Sequence, residues 1–352
     1  MLDQLINQSS EFDSRKADHI APAREFHFNS LAAIEPPAIL GSLQSSPLMP
    51  DEHALRQLCT KLGPAVWGKG TSKSLPYDYV TTIPADLRST AFNRHLQDAN
   101  GSRWMVRGYG NKARAVLSGD YPGGANHDGD FENTQYLKAV HELVTASLPS
   151  FPEIRLVRPS VTPDDLNIKV MWKNVQTGTD EGGQYGIGVY IGNGETGSKK
   201  LSVLPCLQRT KCDNSIILDS ENGLAMVHRG SLAAMRTQFK AAIGRMFQVG
   251  AELLDRMIAA EEEQIDDFEM VLGGLAIKHG WRDDISAAVM VGTEGKRTRA
   301  GIVNGVTWAA HTRIENPNEQ VEMEMLGGSI LVAPDTLFAT AAKQCRREMA
   351  GL

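Results

Sequence analysis

The chain has 352 residues, of which 41% are hydrophobic, so it can bury a core. Its net charge of −6 argues against a protein that coats nucleic acid through an overall positive charge. No apolar run approaches the roughly 20 residues that cross a bilayer, and the first residues lack the pattern of a secretory leader. We therefore expect a soluble, cytoplasmic protein. Four scattered cysteines, Cys59, Cys206, Cys212 and Cys345, predict reduced thiols more than a disulfide framework or a zinc site completed by His228.

The first 50 residues contain five prolines and little sustained periodicity, which predicts an extended N-terminal arm with at most one short helix. Leucines spaced three and four apart predict a helix over residues 51–62, ended by Gly63 and Pro64. Residues 65–80 then read as a loop or hairpin, and residues 84–96 as a further short helix.

Between residues 102 and 227 most segments alternate between apolar and polar positions, the period of a β-strand. One helix, residues 133–148, interrupts these strands. Glycines interleaved over residues 186–192 predict a bulge or a close backbone approach, and Asn193 with Gly194 predicts a hairpin.

Residues 231–260 carry the strongest helical pattern, with Ser231 as the expected N-cap. From about residue 281 the chain reads as mainly helical, with helices over 300–312 and 335–349. The fold class is therefore α+β: a mixed or mainly antiparallel twisted sheet with inserted helices, a long amphipathic helix and a helical C-terminal region. We divide the chain into the arm (1–50), a sheet domain (51–230) and a helical region (231–352, with its long helix at about 231–262).

Charge is unevenly distributed along the long helix. Its first half is basic, with Arg236, Lys240 and Arg245, whereas residues 251–270 hold eight acids and one base. This polarity opposes the helix dipole. Head-to-tail contact between subunits in a ring or filament would compensate for this unfavourable polarity, and so would charged partners within the chain. The simpler alternative is that the helix surface is solvated.

Basic and aromatic residues cluster on the predicted strands, where guanidinium and ammonium groups suit phosphates and rings suit base stacking. A solvated strand face with ordinary core aromatics would give the same pattern. The phosphate-binding candidates are Arg103, Arg107, Lys112 and Arg114, followed by Lys199, Lys200, Arg209 and Lys211, and the stacking candidates are Trp104 and Tyr109.

Enzyme motifs are weak. The chain has no phosphate-binding loop, nucleophile elbow or H-E-x-x-H, so we assign no catalytic residue and expect no cofactor. Asn126-His127-Asp128-Gly129-Asp130 reads as a polar turn, although a divalent ion held by His127, Asp128, Asp130 and Glu195 is conceivable.

Residues 107–121, RGYGNKARAVLSGDY, resemble the phage/plasmid-like proteins catalogued as domain of unknown function 932 (DUF932). Residues 193–197 and 209–215 resemble two further phrases of that family, as do His228-Arg229-Gly230, residues 304–307 and residues 324–328. Gly194 and Ser215 depart from the usual serine and glycine. The resemblance covers roughly residues 65–330. It implies a mobile-element setting near DNA-processing genes, in the cytoplasm of a bacterial host cell, without a biochemical activity to transfer.

Three functions follow as hypotheses. The first is a nucleic-acid-binding protein of a phage, plasmid or other mobile element, which binds or anneals single-stranded DNA for recombination and forms homo-oligomers through its long helix. The second is a metal-dependent nuclease or other hydrolase, and the third is a protein-interaction factor that counters host defence. We favour the first hypothesis, and with it a non-enzymatic role.

Overall fold

The computed structural model describes residues 2–36, 46–67, 73–98, 102–118, 133–147, 154–177, 185–209, 214–219, 221, 223–226 and 232–351. Its helices are α1 (Leu2–Ser14), α2 (Glu52–Trp67), α3 (Tyr77–Thr82), α4 (Ala85–Asp98), α5 (Asn133–Ser147), α6 (Leu232–Glu262), α7 (Phe268–His279), α8 (Asp283–Gly292), α9 (Arg299–Arg313), α10 (Pro317–Val332) and α11 (Thr336–Met349). Its strands are β1 (Lys16–Pro22), β2 (His27–Phe28), β3 (Ile34–Glu35), β4 (Met49–Pro50), β5 (Arg103–Tyr109), β6 (Lys112–Ser118), β7 (Ile154–Val161), β8 (Asp165–Thr177), β9 (Tyr185–Gly194), β10 (Leu201–Arg209), β11 (Ser215–Ile217) and β12 (Leu224–Met226). The α+β class is confirmed.

A four-stranded sheet, here the N-terminal sheet, has the order β1-β5-β6-β4. The leucine stripe of α2 is buried against it, as predicted, because Leu55, Leu58 and Leu62 face the same core as Val106 and Phe92. This core is separate in sequence from the larger one described below.

The central sheet has the order β11-β10-β9-β8-β7, with β12 beside β10, and all its pairs are antiparallel. The glycines of β9 allow the close approach that the sequence predicted, because a Cβ on Gly188 would overlap the carbonyl oxygen of Val170 and the sulfur of Met171. The hairpin from β9 to β10 is also confirmed. Its turn lies later than Asn193 and Gly194, however, around Gly197, which has a positive φ of 77°.

The long helix α6 lies across β9 and β10 and then contacts α9. Its apolar stripe is buried, including Phe239, Met246 and Met257, and Gly250 faces Ile187 so closely that a Cβ there would overlap it. The following helices share one core with Tyr185 and Leu207 of the central sheet. The described residues on either side of the predicted boundary at residue 230 thus share one core.

The first 50 residues do not form a separate extended arm over the part that the structure describes. All seven residues of β1 pair antiparallel with β5, and α1 packs against α5 and β7. Two of the described prolines lie where they cost no ladder hydrogen bond, Pro22 at the end of β1 and Pro50 in the short edge strand β4. Proline content therefore indicated strand ends and edges here and not an unattached segment.

Two smaller predictions also change. Helix α2 continues past Gly63 and Pro64 to Trp67, and the segment read as a loop contains α3. Within the described residues, no individual helix combines the length and apolarity of a membrane span, whereas α10 and α11 together, bent by 113°, satisfy those two criteria.

Candidate functional site

Three of the predicted nucleic-acid-binding residues are buried. Trp104, Arg107 and Arg209 are 3%, 4% and 4% exposed, so none presents its ring or guanidinium group to a ligand at the surface. Trp104 packs in the core of the N-terminal sheet, beside Phe26. The strand alternation that placed Arg103 and Arg107 on one face did not distinguish a solvent-facing position from one covered by another part of the chain.

Arg107 is held by two carboxylate residues that come from distant parts of the sequence. Its Nε and Nη2 donate to the two carboxylate oxygens of Asp18 at 2.9 and 2.6 Å, and its Nη1 donates to the backbone oxygen of Glu195 at 3.1 Å. Such a two-bond contact is the strongest geometry available to arginine and uses the same donors that would bind a phosphate.

Glu195 is the centre of this buried network. Its carboxylate forms an ion pair with Lys16 and lies 3.7 Å from Nη1 of Arg107, and it accepts a hydrogen bond of 2.6 Å from the backbone N–H of Asn133 at the start of α5. Burial raises the pKa of the Glu195 carboxyl, while the charges of Lys16 and Arg107 act in the opposite direction. The network joins β1, β5, the turn after β9 and the start of α5, so we assign it a structural role.

Three further candidates are also paired. Arg114 forms ion pairs with Asp164 and Asp51. Lys199 donates to Asn318 at 2.6 Å and Asn167 at 3.0 Å and lies 3.7 Å from Asp165, and burial lowers the pKa of its ammonium group. Arg209 donates two bonds of 2.9 Å to Glu294.

The other candidates are dispersed. Arg103, Lys112 and Lys200 are exposed, but Arg103 begins β5 whereas Lys112 pairs with Tyr109 at its other end, about 20 Å away at roughly 3.3 Å per residue. Tyr109 is half-buried, with its ring edge on Phe12. Lys211 lies outside the described residues. Over the part of the chain described, the predicted cations therefore do not form one continuous basic groove.

A smaller basic surface lies at one end of the N-terminal sheet. Arg24 lies two residues after the end of β1, and Arg103 begins β5. The two strands pair there, with Pro22 opposite Arg103 and the N–H of Ala23 bonded to the oxygen of Ser102 at 2.9 Å. Both arginines are exposed.

A third exposed arginine, Arg94, lies near the end of α4, which packs against the short 3-10 helix that contains Arg24. Only three residues separate the end of α4 at Asp98 from Ser102, which holds the end of α4 close to the start of β5. Arg24, Arg94 and Arg103 together are called the basic corner below. Among the described residues, none of the three forms an ion pair. The exposed carboxylates of Glu25 and Asp98 are nearby, which leaves three positive charges against two negative ones.

A second buried polar cluster connects the central sheet to the helical region. Lys169 on β8 pairs with Glu324 on α10 at 2.5 Å, and Nε2 of His311 on α9 lies 3.1 Å from the same carboxylate oxygen. The Tyr190 hydroxyl donates to Asn167 at 2.7 Å, and burial raises its pKa well above the usual range. The sequence pattern did not indicate this cluster, because Lys169 and Glu324 are 155 residues apart.

The described cysteines are buried and free, as expected for Cys59, Cys206 and Cys345. Burial raises the pKa of the Cys206 thiol to about 12, which makes it unreactive at neutral pH. Cys212 and His228, the other members of the suggested zinc site, lie outside the described residues.

The suggested divalent-ion site gains no support. His127, Asp128 and Asp130 lie outside the described residues, and the carboxylate of Glu195 is already bound by Lys16 and Asn133. Among the residues that are described, no group of three or more metal-binding side chains comes together.

The acidic segment after α6 finds partners within the chain. Arg299 is buried between Glu263 and Asp335, Arg297 binds Glu269 through two bonds of 2.6 Å, and Arg346 pairs with Asp267. An open cavity of about 440 Å³ lies between this segment and α11, lined by acids that these arginines already neutralise in part.

Comparison of the chain with protein-family models, with curated proteins and with solved structures gave no match. The resemblance to the phage/plasmid-like proteins therefore stays a prediction.

Proposed function

We propose that this chain binds nucleic acid, in particular single-stranded DNA of a phage, plasmid or other mobile element, through the basic corner. The observation that carries the proposal is the exposure of Arg24, Arg94 and Arg103 without ion pairs in the described residues, in a chain where Arg107, Arg114 and Arg209 are all paired. Guanidinium groups without carboxylate partners remain available for phosphate oxygens.

The size of the corner determines what kind of binding we expect. Three phosphate contacts give a modest, sequence-independent affinity, because contacts to the backbone carry no base information. The stacking that Trp104 was expected to provide is not available, because its ring is buried. The exposed Tyr79 precedes the start of α4, and the corner lies at the other end of that helix, so we assign the corner phosphate contacts alone.

A salt titration of a labelled single-stranded oligonucleotide by fluorescence anisotropy tests the proposal. Three contacts predict a slope of about −2 for log affinity against log salt, from about 0.7 per phosphate. The variant R24A/R94A/R103A is expected to lose most of the affinity at low salt and most of the slope.

A matched control is R313A/R347A/K278A, which removes three exposed cations of the helical region and changes the net charge by the same amount. It is expected to bind like the unmodified chain. The proposal is overturned if the unmodified chain does not bind at low salt, or if the two triple variants bind equally well. Binding to a host protein in place of DNA would then become the leading hypothesis.

A further inference from the structure

One face of α6 stays exposed although the opposite face is buried on the central sheet. Residues that recur every three or four positions along this face are exposed and mostly small or uncharged: Ala241, Gly244, Gln248, Ala251, Asp255 and Ala259. A Cβ built on Gly244 meets no other described atom within 4 Å outside its own helix. This face, called the α6 outer face below, runs for most of a 31-residue helix.

The charges beside the α6 outer face are arranged in two opposite halves. Lys240 and Arg245 are exposed in the first half, where Lys240 pairs with Glu142 of α5, and Glu252 and Asp255 are exposed in the second. The acids after the helix are neutralised by arginines of the chain, but among the described residues Glu252 and Asp255 have no ion pair. Bases near the start of a helix and acids near its end also oppose the helix dipole, so the isolated arrangement is unfavourable.

We propose that two copies of this chain pair through their α6 outer faces, antiparallel and about a two-fold axis beside Gln248. Such an axis brings Arg245 of each copy next to Glu252 of the other and brings Ala241 opposite Asp255. The contact between Arg245 and Glu252 forms twice, once on each side of the axis, and the two helix dipoles run in opposite directions. Because Ala241, Gly244 and Ala251 are small, the two helix backbones can approach closely.

This arrangement differs from the head-to-tail contact that charge polarity alone suggested. A head-to-tail chain of helices brings only the ends into contact and leaves the sides of α6 exposed. A two-fold contact uses the whole face and closes after two copies. It does not depend on nucleic-acid binding.

The area predicts how strong the dimer is. Residues 237–262 span about 39 Å at 1.5 Å per residue, and a strip about 10 Å wide buries roughly 400 Å² per copy. Stable interfaces bury about 800 Å² per partner, so we expect a reversible dimer with a micromolar dissociation constant.

Sedimentation velocity without nucleic acid, from about 1 to about 100 µM protein, tests the pairing through a charge swap. R245E and E252R each place like charges together across the axis and are expected to be monomeric. R245E/E252R restores opposite charges and is expected to recover the dimer. The control R313E changes an exposed arginine on α9 and is expected to leave the dimer unchanged.

Disulfide trapping tests the geometry. In a C212S background, Q248C places two thiols beside the two-fold axis and is expected to form a covalent dimer under mild oxidation, whereas A241C or A259C alone is not. The remaining cysteines, Cys59, Cys206 and Cys345, are buried. A monomer at every concentration, a double variant as monomeric as its parents, or cross-linking at 241 and 259 but not at 248 overturns the proposal.

Discussion

Arg107 and Asp18 are joined by two hydrogen bonds, of 2.9 and 2.6 Å, across the pairing of β5 with β1. The arginine is almost fully buried, whereas Asp18 keeps partial contact with solvent. A residue type that suggested phosphate binding in the sequence thus fixes the N-terminal strand to the sheet. The same guanidinium also binds Glu195, so it couples the N-terminal sheet to the central one.

Removal of Arg107 tests this structural assignment. R107A leaves Asp18 and Glu195 without their cation, and a broken buried pair costs about 3 to 5 kcal/mol. We expect the free energy of unfolding in urea to fall by that amount. R103A, at an exposed position on the same strand, is expected to change stability by less than about 0.5 kcal/mol. If both variants were equally stable, the network would not hold β1 in place.

The Lys169 and Glu324 pair gives a second prediction about stability. E324Q removes the charge that balances Lys169 and is expected to destabilise the protein by about 3 to 5 kcal/mol, because an uncompensated ammonium group stays buried. The double variant K169M/E324L replaces both charges with apolar groups and is expected to be more stable than E324Q.

Urea denaturation of K169M, E324L and K169M/E324L, beside the unmodified chain, completes a mutant cycle for this pair. His311 contacts the same carboxylate, so H311Q serves as a control for effects on α9 alone. A double variant no more stable than E324Q would show that packing and not charge limits this site.

The periodicity of the chain predicted its main elements, because alternation and helical spacing are local properties. Strand β8 and helix α6 both lie where the apolar pattern placed them. The spacing does not reveal pairing between distant charges. Asp18 and Arg107 are 89 residues apart, and Lys169 and Glu324 are 155 apart. Only the fold determines which carboxylate meets which cation. The sequence therefore could not distinguish basic residues that bind a ligand from basic residues that form salt bridges within the chain.

The basic corner illustrates the same limit. Arg24 was hidden in a segment that proline content assigned to an extended arm, and its neighbour Arg103 is 79 positions away in the sequence. Pairing of β1 with β5 brings them together, and this pairing depends on long-range contacts that no window of the sequence contains.

His19 on β1 predicts how stability changes with pH. Burial lowers the pKa of its imidazole in the folded chain below the ordinary 6.5, so the unfolded chain takes up a proton first as the pH falls. The free energy of unfolding is therefore expected to decrease on acidification from about pH 6.5 to the pKa of His19 in the folded chain. Below that pKa, His19 is expected to cause no further decrease.

Urea denaturation of the unmodified chain and of H19Q over this pH range isolates the contribution. The variant is expected to lose less stability on acidification, and H27Q, at an exposed position, is expected to behave like the unmodified chain. The raised pKa of Glu195 has the opposite effect, because above pH 4.5 acidification stabilises the folded chain through this carboxyl group. The contribution of His19 is therefore taken as the difference between the pH profiles of H19Q and the unmodified chain. Parallel pH profiles for H19Q and the unmodified chain would contradict the prediction.

Gly188 tests the close packing of β8 against β9. An added methyl group would overlap the backbone oxygen of Val170 and the sulfur of Met171, and the backbone oxygen cannot move without disturbing the ladder. We expect G188A to lower the free energy of unfolding by about 1 to 3 kcal/mol, the usual cost of overpacking.

G244A makes the same chemical change on the open face of α6, where alanine favours the helix by about 0.8 to 1 kcal/mol. The two substitutions are expected to change the free energy of unfolding in opposite directions. This is measured at protein concentrations below about 1 µM, where the proposed dimer is mostly dissociated. A stabilising or neutral G188A would mean that β9 shifts away from β8 at low cost, and that its glycines are not required by the register observed here.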